Sequence, residues 1–197
     1  YCPNLNPVNP RNPRNPRIDS RRSQRLSPWT EEWRLHDRGA DPVPEHDSNG
    51  EFIYLVMEYW RHTGDRPTLE RMWPHVLRAT GYLDSLRQTR RTAAYATGDN
   101  RVFYGLLPPS ISHEGYSAKP MHSYWDDFFA LRGFKDAAAM AQLLGDTSTA
   151  TRFGQRRDEF RADLLASLAL VRQQHGISYL PGAADLGDFD AAQAIFE

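Results

Sequence analysis

The sequence predicts an all-α protein that is built from helical hairpins. From about residue 49 onward, apolar residues recur at the three- and four-residue spacing of amphipathic helices. The predicted helices come in pairs, and a Gly-Asp turn at 64–65 or 145–146 separates the two members of each pair. Long polar loops separate one pair from the next. This alternation of short and long connections is typical of stacked αα-hairpins.

The first predicted hairpin follows a polar loop. The pattern Ser-Asn-Gly-Glu at 48–51 matches a capping box, so we expect a helix from about Asn49 to His62. Pro67 then stands where a first-turn proline is favoured. The apolar spacing that follows it carries a second predicted helix to about Tyr95.

The second predicted hairpin repeats this scheme. Ser-Tyr-Trp-Asp at 123–126 matches another capping box and begins a third helix, which should end before the turn at Gly145. The fourth helix is predicted from about Ser148 to His175. A further helix is expected to begin near Asp190.

The N-terminal part differs from the rest in composition. The run Pro-Val-Asn-Pro-Arg-Asn-Pro-Arg-Asn-Pro-Arg lies within residues 3–17, and prolines at this density disfavour both helix and sheet. We therefore predict a disordered or extended Pro/Arg-rich arm over 1–40 and a helical domain over 41–197. The arm is basic, and it is either a solvated tail or a contact for an anionic partner.

Composition excludes several classes of function. The net charge of −1 over 197 residues gives no overall attraction to nucleic acid or to an anionic membrane. No apolar run reaches the roughly 18 residues that a membrane-spanning helix needs. Cys2 is the single cysteine, so it forms no internal disulfide and gives no information on the cellular compartment.

The residues whose side chains could bind a ligand or transfer a proton are concentrated in three loops. Because the turns within each hairpin are short and the other connections are long, we expect these loops to emerge at one end of the helical layer. The side chains concerned are Glu45, His46 and Asp47 before the first helix, His113, Glu114, Lys119 and His122 before the third, and Asp185, Asp188 and Asp190 after the fourth. Carboxylates beside aromatic faces are typical of a carbohydrate-processing site.

Three carboxylates are candidates for acid/base catalysis, namely Glu114, Asp126 and Asp127. Asp126 lies three residues after Ser123, so a role in the capping box is an alternative to a role in the site. Asp127 has no such capping role and points roughly 100° further around the helix. Substrate contacts are predicted for Glu45, His46, Asp47, His113, Lys119, His122, Tyr124 and Trp125.

Some of these residues have a structural alternative. Tyr124 and Trp125 either stack on a sugar ring or belong to the core, because aromatic residues at the start of an amphipathic helix are often buried. His46 could instead satisfy a buried carbonyl. Arg132 is expected to pair with Asp127 or Asp136 on its own helix.

Two other site classes lack a residue that they require. The pair His113-Glu114 would suggest a zinc protease only with a second histidine at position 117, which is Ser117. Asp126-Asp127 would suggest a diphosphate-binding helix only with a third acid at position 130, which is Ala130. The sequence therefore predicts neither a metal nor an organic cofactor.

Four segments resemble a known family. The stretches 41–52, 58–65, 106–117 and 123–133 are similar to bacterial six-hairpin glycosidase-like proteins with an (α/α)6 barrel. The resemblance covers about residues 41 to 197. It implies hydrolysis of a glycosidic bond in a neutral oligosaccharide or glycoconjugate by a general acid and a general base in loops at the open end of the barrel. In inverting members the two carboxyl groups would stand about 6.5–9.5 Å apart.

The resemblance also implies that this chain is part of a larger barrel. A complete (α/α)6 barrel has twelve helices, and four with the start of a fifth are predicted here. Exposed apolar edges should then make the chain self-associate. The alternatives are a non-catalytic helical-hairpin protein that binds carbohydrate or a protein partner, and an inactive truncated product.

Overall fold

The structure is a computed structural model that describes residues 45–112, 115–116 and 118–189. The chain divides after Pro42, and all of the described residues belong to the second unit, Val43–Glu197. The predicted arm over 1–40 and the helix expected near Asp190 lie outside the described residues.

The described residues are mostly helical. In chain order the elements are α1 (Asp47–Thr63), α2 (Arg66–Gln88), the short α3 (Ala93–Ala96), a 3-10 helix (Gly98–Phe103), α4 (Tyr124–Leu143) and α5 (Thr147–His175). The described part of the chain has no β-strand, and its β-type pairing consists of isolated bridges between loops. The all-α prediction is therefore confirmed.

Both Gly-Asp turns have the same construction. Gly64 and Gly145 adopt positive φ angles of 63° and 82°, a conformation that glycine reaches without the clash of a Cβ atom. The following residue, Asp65 or Asp146, is the N-cap of the next helix, and its carboxylate accepts a hydrogen bond from the backbone N–H three residues later. The two predicted hairpins, α1–α2 and α4–α5, are thus observed.

The two predicted capping boxes are wrong. Helix α1 begins at Asp47, two residues earlier than predicted, and its N-cap His46 makes no side-chain capping bond. Ser123 is the N-cap of α4, but its side chain also makes no capping bond. Its hydroxyl instead donates to Ser112 Oγ at 2.9 Å, because the preceding loop lies against the start of the helix.

Helix α2 ends at Gln88, earlier than the predicted Tyr95. The backbone N–H groups of residues 89–91 bond three residues back, which tightens the chain into a turn. Arg87 is fully buried at this end, where it donates to Gly105 O at 3.0 Å and to Asp163 Oδ2 at 3.0 Å. Its guanidinium also lies 4.2 Å from the centre of the Phe160 ring. Tertiary contacts with α5 and the following loop therefore accompany the end of α2.

Helices α1 and α4 pack side by side and run in the same direction. Near their starts, Trp125 Nε1 donates to Asp47 Oδ2 at 2.9 Å. Near their ends, Arg61 Nη2 donates to Asp136 Oδ1 at 2.8 Å. The predicted pair of Arg132 with Asp136 is confirmed, with a distance of 2.7 Å from Nε to Oδ2.

The contact between α1 and α4 depends on two glycines. A Cβ atom placed on Gly50 would lie 2.3 Å from the backbone oxygen of Phe129, and one on Gly133 would lie 3.2 Å from the Cα atom of Gly50. Around this crossing the main core is formed by side chains of α1, α2, α4 and α5, with Ile53, Val76, Leu83, Phe134 and Phe160 fully buried. The absence of side chains at the two glycines lets the helix backbones approach closely.

Several large apolar side chains are exposed, among them Leu55, Leu165 and Phe189. Exposed apolar residues are common on protein surfaces, so their presence does not establish an interface. The expected self-association of the chain therefore stays a prediction.

We expect Gly50→Ala to destabilise the full chain by about 1–3 kcal/mol or more, because the obstructing atoms belong to the backbone of α4 and cannot rotate away. The matched control is Gly81→Ala in α2, where an added Cβ meets no atom within 4 Å. That variant should gain up to about 1 kcal/mol from the higher helix propensity of alanine. Urea unfolding measures both changes, and equal stability of the two variants would contradict the close packing of α1 on α4.

Candidate functional site

The loops meet where α1 and α4 begin. The backbone N–H of Tyr124 donates to Gly182 O at 3.0 Å, and that of Ala184 donates to His122 O at 2.9 Å. The loop before α4 and the loop after α5 are therefore paired, and we call the described residues of 106–123 and 176–189 the loop layer. The start of α1 contacts the same end of α4 through the Trp125 indole. This arrangement agrees with the expectation that the long loops emerge at one end.

The first turn of α4 carries two adjacent carboxylates, and both are fully buried. Asp126 accepts a hydrogen bond from the Ser110 hydroxyl. Asp127 Oδ1 accepts one from the backbone N–H of Leu107 at 2.9 Å. Each carboxylate therefore fixes a different point of the loop layer to the same helix turn.

Burial sets the protonation of Asp127. Desolvation raises the pKa of this carboxyl well above its ordinary value, and the nearby charge of Asp126 raises it further. The hydrogen bond from Leu107 and the charge of Arg87 act in the opposite direction but do not compensate. Asp127 Oδ2 has no hydrogen-bond partner among the described residues. These observations indicate that Asp127 binds its proton more tightly than an exposed aspartate does.

The burial of Asp126 and Asp127 bears on the prediction that either one takes part in acid/base catalysis, which stays a prediction. A general acid or base must come within hydrogen-bonding reach of its substrate, directly or through one water molecule. Neither side chain is exposed to solvent, and the bonds described for both are to the loop layer. In this conformation Asp126 and Asp127 hold the loop in place.

The two aromatic candidates differ in their surroundings. Tyr124 is fully buried, and its hydroxyl lies 2.7 Å from Ser167 Oγ. Tyr124 therefore takes the core alternative. Trp125 is only half-buried, packs at 5.0 Å and a tilt of 58° against Phe129, and joins α4 to α1 through Asp47.

The three residues predicted to contact substrate at the start of α1 differ in their exposure to solvent. Glu45 is exposed, whereas His46 and Asp47 are buried. Burial, with a further contribution from the charge of Arg90, lowers the pKa of His46 to about 4. His46 is therefore neutral at physiological pH, and its Nδ1 atom has no hydrogen-bond partner among the described residues.

His122 is held between the two paired loops. Its ring stacks on Phe103 with centroids 4.1 Å apart, and its Nδ1 atom lies 3.2 Å from both carboxylate oxygens of Asp185. Arg90 Nε donates to His122 Nε2 at 3.4 Å. Burial tends to raise the pKa of Asp185, but hydrogen bonds and charge from His122 outweigh it and the pKa is lowered.

The remaining candidates lie further along the loops. Lys119 is exposed. Asp188 accepts hydrogen bonds from Tyr116 Oη at 3.1 Å and from the backbone N–H of Ala183 at 3.0 Å, so it stabilises the loop layer. His113 and Glu114 lie outside the described residues, and their roles stay predictions.

Sequence reasoning missed a network of serines. Ser112 has a φ angle of 52°, the one positive value for a residue other than glycine in the described part of the chain. Its N–H donates to Ser110 Oγ at 2.8 Å and its hydroxyl accepts from Ser123, while Ser110 in turn donates to Asp126. Left-handed conformations at residues other than glycine are uncommon and cluster at functional sites. Ser112 directly precedes His113-Glu114, and no spacing rule for serine could have identified it.

The described residues contain neither a candidate metal site nor a candidate membrane span. No group of three His, Cys, Asp or Glu side chains there is arranged to hold a metal ion. Within the same residues, no helix has the length and apolar character needed to cross a membrane.

Comparison of the chain with known protein families, with curated proteins and with solved structures gives no match.

Replacement of Asp127 should separate its acceptor role from its ionisation. The folded protein retains the proton above pH 3.8, the ordinary pKa, in a range where the unfolded chain has lost it. The stability that this group contributes is therefore complete at lower pH and declines as the pH rises toward the raised pKa. Asp127→Asn keeps an acceptor for the Leu107 N–H and removes this decline, so its stability relative to wild type should increase with pH across that window.

The matched variant Asp127→Leu removes the acceptor as well. It leaves a buried N–H without a partner and should be about 1–3 kcal/mol less stable than Asp127→Asn. Urea unfolding at a series of pH values measures both effects. Parallel pH profiles for wild type and Asp127→Asn would show that the proton on Asp127 is not retained on folding.

Proposed function

We propose that this chain is part of a glycoside hydrolase-like protein of the (α/α) barrel type, which acts on a neutral oligosaccharide or glycoconjugate. The proposal is supported chiefly by two hydrogen bonds between the loop layer and α4, from Leu107 N–H to Asp127 and from the Ser110 hydroxyl to Asp126. We call this pair of contacts the clamp. It joins two of the four segments whose sequences resemble six-hairpin glycosidase-like proteins, namely 106–117 and 123–133. Ser112, with its left-handed φ angle of 52°, is thereby fixed at the end of the helices where the loops meet.

The helix arrangement supports the same proposal. Helices α1 and α4 are parallel neighbours, and each is followed through a tight turn by a helix that packs against it. Repetition of such a hairpin with the same sense would place further parallel helices beside α4 and curve the layer toward a ring. The described residues contain two such hairpins, so the closed barrel itself belongs to the proposal.

Within this proposal the residues have distinct roles. Glu114 is the carboxylate that acts in acid/base chemistry, because Asp126 and Asp127 are buried as positioning residues beneath the loop. The exposed Glu45 and Lys119 would contact sugar hydroxyl groups, and the half-buried Trp125 would contact a sugar ring with part of its aromatic face.

A second function, carbohydrate binding without catalysis, is favoured by one observation. Complete burial of Asp126 and Asp127 removes two of the three carboxylates that the sequence suggests for acid/base catalysis. A non-catalytic protein would use the same loop layer to bind sugar and would need no pair of reactive carboxyl groups.

The two functions predict different results with Glu114→Gln. The protein, expressed from its complete open reading frame, is assayed against a panel of neutral aryl glycosides, and sugar binding is measured by calorimetry. If the hydrolase proposal is right, Glu114→Gln should lower kcat/KM by about 100-fold or more with little change in sugar affinity or helix content. Glu70→Gln, which removes only the surface pair with Arg66, is the control and should keep full activity.

Saturable sugar binding by a wild-type protein that cleaves none of the glycosides would favour the binding function. Hydrolysis that persists in Glu114→Gln would contradict the assignment of Glu114. Loss of folding in that variant would show that Glu114 has a structural role.

A further inference from the structure

A groove runs along the helix bodies and is built separately from the loop layer. Its volume is about 550 Å³, and it is lined by side chains of α1, α4 and α5. Tyr54, Phe128 and Leu131 contribute apolar surface to it. Grooves of roughly 300–1,000 Å³ with apolar walls are typical of small-molecule sites.

The charged side chains that line the groove are all cationic. Among the described residues, Arg132, Lys135, Arg157 and Arg161 line it, and no carboxylate does so. Two of these cations already have partners outside the lining. Arg132 pairs with Asp136 and Glu58, and Arg157 with the adjacent Asp158.

Lys135 and Arg161 differ from Arg132 and Arg157 in their lack of an ion-pair partner among the described residues. Both are exposed, and neither makes a hydrogen bond or an ion pair with another described residue. They lie on different helices, α4 and α5, which both contribute to the lining of the same groove. Two unpaired cations beside an apolar surface are complementary to a ligand that combines an apolar body with a negative head group.

We propose that this groove binds a small amphipathic anion, whose aromatic or aliphatic body lies on the apolar surface and whose carboxylate or sulfonate group is held by Lys135 and Arg161. The groove offers no acidic side chain among its described residues to accept hydrogen bonds from a sugar or to repel the head group. The guanidinium of Arg132 lies 4.5 Å from the centre of the Tyr54 ring, and this contact positions one wall of the groove. This site would be independent of the proposed chemistry in the loop layer.

A pair of dyes tests the proposal on the full chain. The sulfonate 8-anilinonaphthalene-1-sulfonate and the neutral N-phenyl-1-naphthylamine share their aromatic body and differ in the head group. We expect the sulfonate to bind at one saturable site. The double variant Lys135→Gln/Arg161→Gln should bind it about tenfold more weakly, because two charge-assisted contacts are removed. The affinity for the neutral dye should be the same in the double variant and the wild type.

The control variant is Arg71→Gln, which removes an exposed cation of α2 outside the groove and should bind the sulfonate like wild type. Unchanged thermal unfolding and circular dichroism are required of every variant, since this dye also binds partly unfolded chains. Equal sulfonate binding by the double variant and wild type would overturn the proposal. Binding of an acidic amphipathic peptide without binding of the sulfonate would also overturn the proposal, and it would assign the groove to a protein partner.

Discussion

The first turn of α4 binds the preceding loop through two adjacent buried carboxylates, and the form of the loop layer depends on this contact. Asp127 fixes the chain at Leu107, and Asp126 fixes it at Ser110, whose hydroxyl in turn supports the left-handed Ser112. Burying two neighbouring carboxylates is costly, because charged groups lose their hydration and like charges repel each other. A raised pKa at Asp127 reduces that cost by neutralising one member of the pair. Their position in the first helical turn, where the helix dipole favours negative charge, reduces it further.

The rest of the fold presents this turn of α4 to the loops. Gly50 and Gly133 allow α1 to lie directly against α4, so the two helices begin at the same end of the domain. At the end of α2, the buried Arg87 joins α2 to α5 and donates a hydrogen bond to Gly105, which lies just before the clamped segment. The same segment is therefore fixed from the helix beneath it and from the adjacent hairpin. Hydrogen bonds to buried side chains thus hold this segment at Gly105, Leu107 and Ser110.

The sequence predicted the parts of the structure that local rules control. Apolar spacing identified the two long hairpins, and the Gly64-Asp65 turn was recognisable because glycine tolerates positive φ and aspartate caps the next helix. The capping box predicted at 123–126 is absent because Ser123 and Asp126 match a local pattern but bond instead to Ser112 and Ser110 of the preceding loop. Burial of these side chains is a tertiary property that one sequence does not contain. For the same reason, the sequence did not show that the candidate carboxylates Asp126 and Asp127 are buried beneath a loop.

Hydrogen exchange at single backbone amides, measured by NMR, tests the clamp most directly. The Leu107 N–H lies outside every helix, so an unclamped loop would leave it unprotected. If the carboxylate of Asp127 holds the loop, this amide should exchange as slowly as the amides in the middle of α4. In Asp127→Ala its protection should be lost, with the α4 amides still protected. Rapid exchange of the Leu107 amide in the wild-type protein would contradict the clamp, and with it the structural role given to the paired carboxylates.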